Sequence, residues 1–173
     1  MAKPAKFQTV LTASPIEAGW HYITVPLKIG EKFPRNRGSR RVICTINEVE
    51  SFPAALLPYD GEFTIVVNKE RRNRLGILAG DELSVQIAAD ESEYGMPMPE
   101  ELQEVLNQDP DGRTAFQALT PGRQRSMMYY IGKLKDIDKR IHASLILLDH
   151  LKRNNGKIVH DQLSAELRRP AQF

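Results

Sequence analysis

The periodicity of the apolar residues changes once along the chain. Up to about Ala89, apolar and polar residues alternate in short stretches, which is the period of a strand with one buried face. From Pro99 onward, apolar residues recur every three or four positions, as they do in amphipathic helices. The sequence therefore predicts an α+β protein with a β domain at residues 1–92, a linker at 93–98 and a helical domain at 99–169.

The β domain contains six candidate strands rich in Val, Ile, Thr and aromatic residues. These strands are 7–12, 20–25, 41–47, 51–57, 62–68 and 82–88. No long helical pattern separates them, and Tyr59-Asp60-Gly61-Glu62 is a strong hairpin turn signal. We therefore predict a small six-stranded barrel, because closure removes the exposed edges that an open sheet would leave.

The helical domain shows repeated helix starts. Pro99 fits a first helical position, and Asp109-Pro110 and Thr120-Pro121 each place a capping side chain before a proline. Asp136 or Asp138 can cap a further segment, so the long apolar stripe after Pro121 is one helix or two. The width of that stripe favours a packed bundle over a coiled coil.

Charge is segregated although the net charge is only +2. Residues 76–111 hold ten Asp and Glu and no Lys or Arg, between basic blocks at 1–75 and 112–173. This acidic stretch either folds back onto a basic block or is solvated, and the small value of exposed ion pairs, about 0–1 kcal/mol each, favours solvation. The modest net charge argues against obligate polyanion binding but allows a local basic face.

Several function classes are disfavoured by what the sequence contains. The single cysteine, Cys44, excludes an internal disulfide framework, and its place in an alternating strand predicts a small buried thiol. The four histidines lack metal-pair spacing, and no glycine-rich phosphate loop is present. Asp149-His150 resembles an acid–base pair, but adjacent helical residues point about 100° apart, which favours surface polarity. We therefore predict no enzyme, no metal and no cofactor.

Membrane and export signals are also missing from the pattern. The longest apolar runs are far shorter than the ~20 residues of a membrane-spanning helix. Residues 1–6 show no apolar signal region, so the cytoplasm is the expected compartment.

Residues 63–85 read as a strand, one helical turn, a tight turn and a second strand. Gly76 can end the helical turn in the left-handed conformation, and Gly80-Asp81 can reverse the chain. The segment resembles the barrel-building hairpin of AbrB-type proteins, although Asn68 stands where a proline is expected and Arg71 at an apolar position. The matching residues are Arg72, Leu75, Gly76, Gly80 and Asp81.

Two family resemblances cover most of the chain. Residues 1–90 resemble the bacterial family 1905 of domains of unknown function. The resemblance is carried by that hairpin together with the segments 19–26, 41–42 and 45–47. Members of the family usually have Asn-Gly where this chain has Asn47-Glu48. Residues 96–168 resemble the helical domain named for bacteriocin protection, YdeI or OmpD association. The residues that carry this second resemblance are 98–102, Phe116, 119–125, 130–131, 139–141, 148–151 and 155–157.

Two sets of side chains are candidates for binding. A basic set, chosen on charge and placement, would contact an anionic ligand or nucleic acid. It consists of Arg41, Lys69, Arg72, Arg123, Arg125 and Arg140, with Arg35, Arg37 and Arg40 close to Arg41 in sequence. The aromatic residues Trp20, Tyr22 and Phe52, with Phe33 and Tyr59, would line a barrel mouth in which Arg41 or Lys69 clamps an anion.

The sequence thus predicts a non-catalytic binding or stress-associated module, and the second family's name implies a link to bacteriocin or antimicrobial-peptide tolerance. The alternatives are a DNA-binding regulator that uses the AbrB-like hairpin and a small-molecule-binding barrel. The identity of the partner and the oligomeric state are not specified by the sequence.

Overall fold

A computed structural model describes residues 2–16, 18–36 and 38–170. The chain divides into two compact units, Met1–Glu91 and Ser92–Phe173. Strands dominate the first unit and helices make up the second, so the α+β class predicted from the change in periodicity is confirmed.

The first unit, the barrel unit, is an antiparallel sheet that closes almost completely into a barrel. Its strand order is β1-β7-β4-β5-β6-β3-β2, and Thr9 Oγ1 of β1 donates to Thr24 O of β3 at 2.9 Å across the closure. The strands are β1 Ala5–Val10, β2 Thr12–Ala13, β3 His21–Val25, β4 Arg40–Ile46, β5 Glu50–Tyr59, β6 Glu62–Val66 and β7 Glu82–Ala89; the helices are α1 Leu27–Gly30 and α2 Lys69–Leu75.

The structure has seven strands where the sequence predicted six. The predicted strand 7–12 breaks at Leu11, whose side chain is fully buried. The backbone N–H of Leu11 donates to Asp81 O, and its carbonyl accepts from Gly80 N–H. The chain therefore leaves β7, the partner of β1, and begins the two-residue β2 against β3.

Alternation along each strand builds the barrel core. In β4, Val42, Cys44 and Ile46 point inward and are fully buried, while the residues between them are partly exposed. The remaining core side chains come from the other strands and from the chain around them, including Phe33, Phe52, Phe63 and Ile77.

The predicted succession of strand, helical turn, tight turn and strand is present as β6, α2 and β7, although β6 and β7 pair with other strands and not with each other. Helix α2 ends at Gly76, which has φ +64°, a conformation that glycine adopts without steric cost. At the other end of α2, the side chain of Asn68 accepts a hydrogen bond from Arg71 N–H. The asparagine that replaces the expected proline therefore caps the helix.

The second unit, the helical unit, contains five helices around its own core within the part of the chain that the structure describes. Asp109, Thr120 and Asp136 cap three of them with side-chain hydrogen bonds, as the sequence predicted for the first two; Asp136, and not Asp138, starts the last long helix. Pro99 lies just before the first helical residue rather than at it. The helices are α3 Glu100–Gln108, α4 Pro110–Gln117, α5 Pro121–Lys133, α6 Ile137–Arg153 and α7 His160–Leu167.

Among the described residues, no helix has the length and apolar character needed to cross a membrane.

Candidate binding groove and the predicted basic residues

A groove of about 340 Å³ lies on the outer face of the barrel, over β3, β5 and β6. Ile23 and Val25 of β3 point into the core. Because side chains alternate along a strand, the side chain of Tyr22, which precedes Ile23, points outward. The volume falls at the lower end of the range of small-ligand sites. The lining residues are Ser14, Ile16, Trp20, Tyr22, Leu57, Pro58, Tyr59, Thr64 and Val66.

Aromatic rings dominate this groove. The side chain of Trp20 is 52% exposed, and the ring centres of Tyr22 and Tyr59 lie 5.8 Å apart at an interplanar angle of 60°. Thr64 Oγ1 donates to Leu57 O at 3.2 Å, so its hydroxyl is already satisfied. The groove thus exposes apolar and aromatic surface to water, a property common in binding sites.

The charge beside the groove is negative. No charged side chain lines it among the described residues, but Glu62 pairs directly with Tyr59 across β5 and β6. The Glu62 carboxylate accepts a hydrogen bond from Leu27 N–H, which holds it in place. Asp60 follows Tyr59 in the hairpin turn. Two acidic residues therefore adjoin the groove residue Tyr59, one across the strand pair and one in the chain, and the aromatic faces of the groove attract cations.

The structure brings Trp20 and Tyr22 together, but on the outer face of the sheet rather than at a barrel mouth. Phe52, the third predicted pocket residue, does not line this groove, because it occupies an inward position of β5 and is buried. The guanidinium carbon of Arg71 lies 3.7 Å from the Phe52 ring centre. Phe33 is likewise buried in the core. The predicted anion clamps, Arg41 and Lys69, are not groove residues.

The arginines of the AbrB-like hairpin make contacts within the barrel unit. Arg72 Nη1 donates to Val67 O at 2.7 Å. Glu50 Oε1 lies 3.1 Å from Arg71 Nε and 2.6 Å from Arg74 Nη2. The hydrogen bond from Arg74, helped by Arg71, lowers the pKa of Glu50 despite its partial burial. Most of the hairpin's positive charge is therefore used internally.

The six predicted basic residues divide equally between the two units. In the barrel unit, Lys69 is exposed and Arg41 is partly buried; Arg37, which the sequence placed near Arg41, lies outside the described residues. In the helical unit, Arg140 Nε donates to Leu134 O at 2.6 Å and its Nη1 lies 3.3 Å from Glu101 Oε1.

The other two basic residues of the helical unit lie on α5. Arg125 Nη1 donates to Tyr94 O at 3.5 Å, whereas Arg123 is exposed. Arg72, Arg125 and Arg140 thus share a structural task, because each donates to a backbone carbonyl.

A buried polar cluster in the helical unit was missed by the sequence analysis. Asp149 is exposed, but His150 is completely buried, so surface polarity is wrong for the histidine. His150 Nε2 accepts from Val159 N–H at 3.0 Å, and its Nδ1 lies 3.0 Å from Glu166 Oε2. Because Nε2 accepts, the ring proton is placed on Nδ1, which donates to Glu166. The only sequence signal was a histidine within an apolar helical stripe.

Cys44 is a buried free thiol, as its place in an alternating strand predicted. Burial raises the pKa of its thiol to about 12, although the nearby charge of Arg71 acts in the opposite direction. The thiol is therefore protonated at neutral pH and unsuited to act as a nucleophile. Within the described ranges, no group of three or more His, Cys, Asp or Glu residues could hold a metal ion.

Comparison with protein families identifies both units. Residues 7–87 match the family described as domain of unknown function (DUF1905), and residues 95–154 match the family described as bacteriocin-protection, YdeI or OmpD-associated. The two matches follow one another in the order that the sequence predicted, DUF1905 first and the bacteriocin-protection, YdeI or OmpD-associated family second, so the predicted tandem resemblance is confirmed. The second match ends at Asn154, before α7.

No protein of curated function matches the chain significantly.

Proposed function

We propose that the chain is a non-catalytic binding module in bacteriocin or antimicrobial-peptide tolerance, acting in the cytoplasm. The observation that carries this proposal is the solvent-exposed aromatic groove lined by Trp20, Tyr22 and Tyr59. The description of the second family supplies the biological setting.

The groove favours a particular ligand chemistry. Its rings and aliphatic side chains suit an apolar surface, since burying such surface contributes about 25 cal/mol per Å². Glu62 beside Tyr59 and Asp60 in the adjoining turn favour a positive charge near Tyr59. A ligand with an apolar body and a cationic group, such as a segment of a cationic amphipathic peptide, satisfies both requirements.

Trp20 makes this proposal directly testable, because it is the only tryptophan in the chain and it lines the groove. The intact protein would be titrated with a short amphipathic peptide of Leu and Lys, and with its twin in which Glu replaces Lys. We expect the Leu–Lys peptide to shift Trp20 emission to shorter wavelength in a saturable way. The Leu–Glu peptide should bind at least tenfold more weakly.

Two matched variants separate the groove from general surface hydrophobicity. Leu57 lines the groove and is 44% exposed, whereas Leu78 lies elsewhere on the barrel unit and is 74% exposed. We expect Leu57→Ala to weaken binding several-fold and Leu78→Ala to leave it unchanged. Equal effects of the two variants, or no emission change with either peptide, would overturn the proposal.

A further inference from the structure

Helix α5 presents a solvent-facing surface that combines cations with tyrosines and lacks acidic residues. The helix, Pro121–Lys133, contains no Asp or Glu. Gln124, Met128 and Ile131 form its buried side, and the opposite side faces solvent. The residues of that exposed side, the α5 face, are Arg123, Ser126, Tyr129, Tyr130 and Lys133.

Both tyrosines are partly exposed, Tyr129 more than Tyr130, which also packs against the helical core. Tyr129 is 61% exposed and Tyr130 is 42% exposed. Lys133 Nζ lies over one face of the Tyr129 ring, 5.9 Å from its centre, which leaves the other face for a stacked base. The α5 face is about 15 Å long, measured as the helix rise from Arg123 to Lys133. Two aromatic rings on a surface of this kind can hold about two or three unstacked bases.

We propose that the α5 face binds single-stranded nucleic acid, with bases stacked on Tyr129 and Tyr130 and phosphates next to Arg123 and Lys133. This site is separate from the groove on the barrel unit. Stacking tolerates any base and contributes about 1–3 kcal/mol per base. No carboxylate of α5 itself opposes a phosphate chain.

The residue types favour a single strand over the other anionic partners. A duplex keeps its bases stacked on each other, so exposed tyrosine rings would find no free base face. A lipid surface is bound mainly by inserting apolar side chains, but Met128 and Ile131 of α5 are buried in the helical core. Tyrosine rings flanked by cations fit splayed bases better than acyl chains.

Fluorescence anisotropy of labelled 12-nucleotide strands of thymidine or uridine, titrated with the whole protein, tests the proposal. We expect the variant carrying both Tyr129→Ser and Tyr130→Ser to bind at least tenfold more weakly. The variant with both Tyr129→Phe and Tyr130→Phe should bind like the wild type, because stacking needs the ring and not the hydroxyl. Far-UV circular dichroism establishes that all variants are folded, which surface substitutions on α5 should permit.

Salt dependence tests the phosphate contacts. Lys133→Gln should reduce the slope of log affinity against log salt by about 0.7, the value of one phosphate contact on a single strand. Lys157→Gln removes an exposed lysine beyond the end of α6 and serves as the matched control. This substitution should leave the slope unchanged.

Three results would overturn the proposal. The first is a double serine variant that binds as tightly as the wild type. The second is a 12-base-pair duplex that binds as tightly as the single strand, which indicates a surface read by charge alone. The third is retention on phosphatidylglycerol vesicles without binding of either strand, which indicates a lipid surface.

Discussion

The barrel unit and the helical unit bury different kinds of side chain. Among the described residues, Thr64 is the one buried polar side chain of the barrel, and its hydroxyl bonds to a backbone carbonyl of the neighbouring strand. The helical unit buries four: Gln124, Ser144, His150 and Glu166. The barrel therefore depends on apolar packing and tight turns, whereas the helical unit also depends on directional hydrogen bonds.

The cluster around Glu166 shows what this dependence involves. Its Oε1 accepts from Gln162 Nε2 at 3.0 Å and lies 3.0 Å from Arg153 Nη2, while Oε2 meets His150 Nδ1. Since His150 also accepts from Val159 N–H, one ring ties α6 to the start and the end of α7. Removing a member leaves buried partners unsatisfied, which costs more than losing an exposed contact.

The largest effect is expected from His150→Ala. The substitution removes the partner of Glu166 Oε2 and the acceptor of Val159 N–H, while Gln162 and Arg153 still contact Glu166 Oε1. It should lower the free energy of unfolding by about 3 kcal/mol. Asp149→Ala is the matched control, because Asp149 is exposed and forms a solvent-exposed ion pair with Arg153 across one helical turn; it should cost under about 0.5 kcal/mol. Urea unfolding followed by circular dichroism at 222 nm measures both. Similar losses for the two variants would show that the cluster is unimportant.

Acid should weaken the helical unit before the barrel. Burial alone would raise the pKa of Glu166, but hydrogen bonds from Gln162, His150 and Arg153 outweigh it and lower the pKa below its ordinary 4.5. A carboxylate with a depressed pKa stabilises the fold above the ordinary pKa, and this contribution is lost as the pH falls towards the folded value. Asp109, whose pKa is lowered mainly by Lys152, behaves in the same way.

Two spectroscopic signals follow the unfolding of the two units separately in that experiment. Trp20 fluorescence follows the barrel, and the 222 nm signal follows mainly the helices. Between pH 6 and pH 3.5, the urea midpoint of the 222 nm signal should fall further than that of Trp20. Glu50 of the barrel also has a lowered pKa, so a small shift of the Trp20 midpoint is expected as well. Equal shifts would contradict the contrast between the units.

The smallest effect concerns a barrel turn. Asn47 and Glu48 are the two central residues of the turn that connects β4 to β5, and their φ values are 52° and 59°. Glutamate is strained in this left-handed region and glycine is not, so Glu48→Gly should stabilise the barrel by about 0.5–1 kcal/mol. The lost contact with Lys6 is exposed and long at 3.9 Å, and contributes little.

Glu48→Ala is the control for that change, because it removes the carboxylate but keeps the Cβ and its strain. The alanine variant should match the wild type within a few tenths of a kcal/mol. A glycine variant that unfolds at lower urea than the wild type, with Trp20 as the reporter, would refute the interpretation of the turn.

Local signals in the sequence predicted the local structure well. Alternation predicted the strands, and Asp109 and Thr120 were identified as helix caps because a cap acts within three residues of its position. The interruption at Leu11 was not predictable in this way. It depends on hydrogen bonds to Gly80 and Asp81, about 70 positions along the chain.

The candidate site was predicted only in part for the same reason. The position of Trp20 and Tyr22 at the groove could be predicted from the strand that the sequence indicates there. Whether Phe52 faces the groove depends on which residues of β5 point inward. The pairing of His150 with Glu166 joins two helices, and that of Glu50 with Arg71 joins a strand end to a helix. Such partners are chosen by tertiary packing, which periodicity and spacing do not encode.

The brevity of β2 has a consequence for the protein at high concentration. A sheet that ends in a long open strand offers a row of unpaired amide and carbonyl groups, onto which a neighbouring molecule can add its own strand. Here the sheet ends after two residues, Thr12 and Ala13. This end is too short to template such an addition, and the other terminal strand, β1, is bonded to β3 across the barrel closure through Thr9 and Thr24, so an added strand would first have to displace that contact.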